Sequence, residues 1–508
     1  MVKGRTLCQI LLGCCAVVML SSRVTAPSAL QRFDQPRTVS YTADIVVNGR
    51  WLLPRDMFGH VATKPPLVNW MAVPVVAVGF WQEWAVKWPM VAGTLLTTAL
   101  TVTIARNLFR QIPEIAIVAD EAAFIAGAAW LVNPANMTMI YHCRPDPVLV
   151  LFLTAAWMFA TAIICENEPN KINIGGFSIA IGLAALTKGP AALVPIIYLP
   201  LAAWIIRGRA GFIRRGHWWW VILVGIGIFS LWAVPTAIRY PAPFFKDLVG
   251  RELIGPTLGL DHQFGGKRYT GGPMVAFKLI LQTPVWFVQR FLPWSIPSIG
   301  ALCAIGWKRW FRHPLAPAIL WIFLVLAFFA LAVRKNADYI LPAYPAAAIL
   351  AAYFCATYLR RFRIRLWQVA ALALVLALGL SVKHFRKTGK DRGGENLKLF
   401  ACEVESRIDN EPVVFIGTGY NTLQFFLRRH QPGAPTAEQM AAAKWVIMPL
   451  RDDTPAELES SLVTKNQEMQ FVLGLYRMEN VRALIHPDAP PNFGGVRDHK
   501  LTRLYDDD

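Results

Sequence analysis

Apolar runs close to the length that crosses a bilayer dominate the first three quarters of the chain. A transmembrane helix needs about 20 mostly apolar residues, and ten stretches approach that: 84–105, 122–141, 147–165, 173–187, 190–206, 218–236, 284–305, 315–333, 340–358 and 366–382. Two more, 7–20 and 67–81, are shorter. The polar residues between the ten are ordered too. Arg106 and Arg110, then Arg207, Arg209, Arg214 and Arg215, then Lys308, Arg309 and Arg312, then Arg360, Arg361, Arg363 and Arg365 fall at every second connection. Cytoplasmic loops carry the excess of Lys and Arg, so these four clusters belong inside. Lys3 and Arg5 place the N-terminus inside as well, so 7–20 crosses outward and 84–105 returns. The run 67–81 then cannot span without moving every cluster outside, and a helix on the outer surface is expected there. The pattern predicts an α-helical polytopic membrane protein of about 11 transmembrane helices plus that surface helix. The first run also has the form of a secretory signal, with a small-residue site at Val24-Thr25-Ala26. On either reading the segment after it emerges on the outer face.

After residue 382 the pattern changes. Short β-like runs, "PVVFIG", "KWVIMPL" and "QFVLGLY", alternate with helical stretches such as "NTLQFFLRR" and "PTAEQMAAA". Residues 1–382 are therefore read as the membrane domain and 383–508 as a small α/β extracytoplasmic domain.

Composition agrees: 508 residues, 55% hydrophobic, 16% charged and 19 Trp, with mean hydropathy +0.40, exclude an ordinary soluble enzyme. The net charge of +19 would suit a nucleic-acid partner, but residues 383–508 hold 17 Lys+Arg against 18 Asp+Glu, leaving 34 against 14 in the first 382. The excess thus lies in short membrane loops, and no nucleic-acid partner is expected. Eight Cys form no CxxC pair. Only Cys143 and Cys402 fall on the outer side, and nothing supports a disulfide between them.

The outer connections collect the chemistry. Charges at the ends of apolar spans are expensive unless they face an interface or a protein cavity. "FDQPR" holds Asp34 and Arg37, "ATKPPLVNW" holds Lys64, "YHCRPDPVLV" holds Arg144 and Asp146, "LTKGP" holds Lys188, and "RKNADYILPAYP" holds Arg334, Lys335 and Tyr339. Each has a bland reading. Lys64 suits a snorkelling anchor, and Asp146, followed by Pro147, suits a helix N-cap. Three basic loci on one face nevertheless suggest a receptor for an anionic group. The outer loop 237–283, with "GLDHQFGGKRYTGGP", suits a mobile cover or a plain connector.

These segments, in this order, resemble the GT-C membrane glycosyltransferases that use polyprenyl-phosphate sugars: the protein O-mannosyltransferases and, more closely, the lipid A aminoarabinose transferases. Members typically carry Asp-Glu-x-Arg-Tyr after the first span, then "GDW..P", "EKPP", an acidic residue opening a later span, "TKG" and "RYLLP". Here the counterparts read "DQPRTVSY", "NGRWLLPRD", "TKPPLVNW", "RPDPVLV", "LTKGP" and "DYILPAYP", over most of residues 30–350. The resemblance implies that Asp34 is the catalytic base with Arg37 beside it, and that Lys64, Lys188 and Tyr339 lie near the donor phosphate. It implies that Asp146 is a second acidic site residue and that His262 is a loop histidine of the site. Three positions depart from the pattern: Gln35 for the second acid, Thr38 for Tyr, and Thr63 for the Glu before Lys-Pro. That Glu is a candidate metal or acceptor contact in relatives, so no cofactor is expected here, and a divalent metal is left open.

The chemistry implied is transfer of a sugar from a polyprenyl-phosphate donor to a hydroxyl or phosphate of an envelope acceptor: lipid A, another glycan or a protein. Lys and Arg neutralise the departing phosphate, and a carboxylate on the opposite face takes the acceptor proton, with inversion. Asp34 is assigned that role, Asp146 orients the acceptor or shares it, and Arg37, Lys64, Arg144, Lys188, His262, Lys335 and Tyr339 bind substrate. The protein is expected in the inner membrane, among membrane lipids, with its C-terminal domain outside. A lipid or sugar transporter is the alternative. It is disfavoured by the lack of a half-to-half repeat and by polar residues crowding one face instead of the midplane.

Overall fold

The computed structural model describes residues 2–25, 30, 35–140, 142–165, 170–208, 217–254, 273–331, 336–388, 393–417, 421–450, 461–465 and 472–482. Among them, seven helical stretches are long and apolar enough to cross a membrane. The longest, Lys171–Arg207, is two helices. Lys171–Lys188 ends at Gly189, whose φ of +52° is left-handed, and Leu193–Arg207 comes next after a 3-10 turn opened by Pro190. The protein is a multi-pass membrane protein, and its exposed apolar side chains, such as Leu231 and Ile238, have the character of a lipid-facing surface.

We label the N-terminal helices α1 (Val2–Val24), α2 (Gln35–Asn48), α3 (Leu67–Ala77), α4 (Glu83–Phe109), α5 (Ala119–Leu131), α6 (Pro134–Met139), α7 (Asp146–Cys165), α8 (Lys171–Lys188) and α9 (Leu193–Arg207). α3 has 11 residues, too short to span, as the charge pattern requires. The expected span 122–141 is corrected: α5 stops at Leu131 and α6 starts anew. The cause is local. The Asn133 and Asn136 side-chain amides both donate to the Trp130 carbonyl at 2.6 Å, while Asn133 Oδ1 caps α6 by accepting from Asn136 N at 2.9 Å. The expected span 284–305 is likewise two helices, Pro273–Arg290 and Ser295–Ile305. Pro293 between them has no N–H to carry the ladder.

At the end assigned to the cytoplasm, Asp120 gathers Arg5 at 3.0 Å, Arg106 at 2.8 Å and Arg110 at 3.4 Å, tying α1, α4 and α5 together. α1 packs on α5 and on the helix Leu366–Thr388, with Cys8, Cys15 and Met19 fully buried. In the middle, Trp157 of α7 stacks on Trp321 at 5.6 Å, and Tyr198 of α9 meets Trp321 edge-on at 5.3 Å. Trp321 belongs to the helix Ala316–Leu331, and its indole N–H donates 2.8 Å to the Pro342 carbonyl. This aromatic block fixes the 3-10 turn Ala337–Ala343 against three helices. Gly93 of α4 performs a related task. A Cβ there would lie 2.9 Å from the Pro147 carbonyl oxygen, so only glycine lets α4 reach the first turn of α7.

Among the described residues, the C-terminal part begins with Gly393–Ile408 and carries a four-stranded sheet. Its strands are β1 (Val413–Phe415), β2 (Trp445–Leu450), β3 (Leu462–Lys465) and β4 (Val472–Arg477), in the order β1-β2-β4-β3, with β1 parallel to β2 and the other pairs antiparallel. β3 and the first helix had no clear signal in the sequence. The helix Ala437–Ala442 starts on a Thr436–Gln439 capping box. Leu423, Phe425 and Phe426 of the helix Asn421–Phe426 join Val39 and Ala43 of α2 in one core. Cys143 is buried and Cys402 exposed, and both are free thiols.

A polar knot secures this docking. Asp44 of α2 is fully buried and accepts from Asn48 Nδ2 at 2.7 Å, Arg50 at 3.1 Å and the Arg55 backbone N–H at 2.7 Å. His430 Nε2 donates to the Arg55 carbonyl at 3.0 Å and lies 3.6 Å from Asp44, while Gly433 N donates to Met57 O at 2.7 Å. Burial pushes the His430 imidazole below its ordinary value of 6.5, against the pull of Asp44. A folded-state value below the unfolded one means that the stabilisation is complete above about pH 6.5 and is lost as pH falls below it. Thermal unfolding of the full chain in detergent should therefore weaken from about pH 7.5 to about pH 5.5, and less steeply in His430→Gln. Equal slopes for the two proteins would remove His430 from the account.

Candidate active site

Four of the segments singled out in the sequence, those of Lys64, Asp146, Lys188 and Tyr339, meet around one cavity of about 430 Å³, within the range usual for ligand sites. Lys64, Asp146, Lys188 and Tyr339 all line it, with Thr63 beside Lys64 and an apolar wall that includes Phe229, Phe244, Phe328 and Phe329. Each side chain is set by its own local structure. Asp146 opens α7 after the turn at Pro145, and Lys188 ends α8 where Gly189 turns the chain away. Tyr339 lies in the 3-10 turn held by the aromatic block, and Asn336 caps that turn by accepting from Asp338 N at 2.8 Å.

The charged groups are interlocked. Lys188 Nζ donates to Asp146 Oδ1 at 2.7 Å and stands 4.5 Å over the Tyr339 ring. Arg144 Nε lies 3.5 Å from Asp146 Oδ2, and its NH1 donates to Asp338 Oδ2 at 3.0 Å. Asp338 also accepts from Arg290. Asp146, Asp338 and Arg144 are all buried. Asp146 does not serve as the N-cap of α7, since its carboxylate goes to Lys188 and Arg144. Nearby, burial pushes the His142 imidazole down to about 3, with Arg144 and Lys87 adding to the effect, so the ring stays neutral beside the cationic group.

Not every expected residue joins the cavity. Arg144 stands behind it, between the two carboxylates. Arg37, half-buried in the first turn of α2, is not among its lining residues. Asp34, His262 and Lys335 lie outside the described residues. Gln35, where relatives carry an acid, has a clear partner: its fully buried Oε1 accepts from Cys143 N at 2.9 Å. This ties the start of α2 to the turn that presents Arg144 and Asp146. Sequence reasoning missed Asp338 and Arg290. Asp338 adjoins Tyr339 in the quoted "DYILP", but nothing in the sequence links it to residues 144 and 290. Among the described residues no three His, Cys, Asp or Glu side chains gather as a metal site.

With this geometry, the comparisons decide the fold. A solved structure of ArnT from Cupriavidus metallidurans bound to undecaprenyl phosphate superposes with a TM-score of 0.69 at 17% identity, covering 94% of this chain and 99% of that one. The chain has the GT-C glycosyltransferase fold. Its sequence is similar to the undecaprenyl phosphate-alpha-4-amino-4-deoxy-L-arabinose arabinosyl transferase of Aeromonas salmonicida, 24% identical over 384 residues, 71% of this chain and 64% of the relative. It is similar also to transferase 1 of that name from Pseudomonas fluorescens, 25% identical over 333 residues, 62% of this chain and 52% of the relative. The chain thus spans less than two thirds of the length of these relatives. The dolichyl-phosphate-mannose-protein mannosyltransferase family profile matches residues 63–234, a stretch containing Lys64, Arg144, Asp146 and Lys188. The resemblance read from the ordered motifs is borne out.

The interlocked pair gives a test. Removing one partner of a buried ion pair leaves an uncompensated charge, a loss on the order of 3 kcal/mol. Asp146→Asn should lower the unfolding temperature in detergent, and Asp146→Asn with Lys188→Met should recover much of the loss. Additive losses in the double variant would contradict the pairing.

Proposed function

We propose that this protein is an integral-membrane glycosyltransferase that moves a sugar from a polyprenyl-phosphate donor to a hydroxyl or phosphate of an envelope acceptor, a lipid such as lipid A in the reading its relatives favour. The observation that carries this is the convergence of Lys64, Lys188 and Tyr339, from three distant segments, on one cavity whose remaining wall is largely apolar. An anionic headgroup on an apolar tail needs that combination: cations and a phenol at one end, Phe and Leu side chains along the rest. The site works at the outer face of the inner membrane, with the C-terminal unit on the same side.

In this reading Lys64 and Lys188 hold the donor phosphate and stabilise the charge that grows on it as the bond from C1 to the phosphate oxygen breaks. The ammonium groups are already fixed, so little reorganisation is needed at the moment of transfer. Asp34 takes the proton of the acceptor as its oxygen attacks C1 from the opposite face, and the anomeric centre inverts. Asp146 is a positioning residue that aims Lys188. Gln35 keeps the segment next to Asp34 against the turn that bears Arg144.

A general base of this kind is worth about 100-fold or more. In membranes supplied with a polyprenyl-phosphate sugar, Asp34→Asn should reduce transfer to background while the amount of inserted protein is unchanged. Full transfer by that variant would remove Asp34 from the mechanism. Mass spectrometry of envelope lipids and glycans from cells with and without the protein identifies the acceptor.

A further inference from the structure

Arg290, Asp338, Arg144, Asp146 and Lys188 form a single chain of contacts with alternating charge. It closes on itself, because Lys188 ends over the ring of Tyr339, the neighbour of Asp338. Both carboxylates reach the cavity wall, where Lys64 adds a further cation. Among the described residues, four cations thus face two carboxylates. Asp146 has an evident task in aiming Lys188. Asp338 has none in holding donor: it is 5% exposed, takes two guanidinium groups, and is an anion in the wall of a site read as binding an anion.

The charge of the ligand changes during the proposed reaction. A sugar-phosphate diester carries one negative charge, whereas a phosphate monoester carries about 1.5 to 2 at pH 7. Cations that stabilise the departing phosphate therefore hold the product more tightly than the donor, and binding energy that persists in the product slows turnover. We propose that Asp338 is a built-in counterion: by occupying Arg144 and Arg290 it limits the excess positive charge of the site and lets the lipid monophosphate product leave. This rests on the transferase reading. Asp338 acts through the two arginines and is a positioning residue, not a catalytic one.

The test is the affinity of the purified full chain in lipid nanodiscs for a polyprenyl monophosphate, with inorganic phosphate as a headgroup-only competitor. Asp338→Asn, nearly isosteric, should bind both about tenfold more tightly, the effect of one unit charge at about 10 Å in a medium of effective dielectric about 20. In turnover, its kcat and donor KM should fall together, and Asp338→Glu should restore both. Arg290→Gln should shift affinity the opposite way, and it carries the test if Asp338→Asn does not fold. Unchanged or weaker binding by Asp338→Asn, a rise in KM with the fall in kcat, or unchanged binding by Arg290→Gln overturns the counterion role. So does a gain seen with the lipid but absent with inorganic phosphate. Wild-type protein that binds no polyprenyl monophosphate overturns the transferase reading itself.

Discussion

The ion pair of Asp146 and Lys188 is the constraint on which the site depends. A charge buried in protein is costly unless it is paired, so neither would be kept at a buried helix end without a partner. At 2.7 Å the pair fixes the start of α7 against the end of α8. Other contacts serve that registration. Gly93 lets α4 lie directly on the first turn of α7, and the block of Trp157, Tyr198 and Trp321 anchors the turn that brings Asp338 and Tyr339 to the same place.

The resulting cavity has its charges set before any ligand arrives. Donors held in position stabilise developing charge without reorganisation, which is where such a site gains most. The C-terminal part contributes through α2. Asp44 and His430 clasp the C-terminal unit onto α2, and Gln35 at the start of α2 grips the turn before Asp146. The C-terminal part thereby bears on the geometry of the site through one helix.

Much of this was legible in the sequence for physical reasons. Apolar run length and the alternation of Arg clusters report directly on the bilayer, so α4, α7, α8 and α9 and the short surface helix α3 emerge from pattern alone. Lys64, Asp146, Lys188 and Tyr339 were legible because a charge or phenol at the edge of an apolar run needs a reason. The breaks after Leu131 and near Pro293 were not, since apolar content continues through them. There the signal is capping by Asn133 and a missing proline N–H. Asp338 was hidden because its meaning lies in Arg144 and Arg290, which are distant in sequence. Asp146 was half legible: its position marked it, but only its contacts show that it is paired with a lysine.

The central claim is that this cavity receives a phosphate on an apolar chain. The most direct measurement is an experimental structure of the full chain with a polyprenyl phosphate bound. The account predicts phosphate oxygens within hydrogen-bond distance of Lys64 and Lys188 and the chain lying along the wall of Phe244, Phe328 and Phe329. A phosphate seated away from Lys188, with the Asp146–Lys188 pair facing an empty cavity, would contradict it.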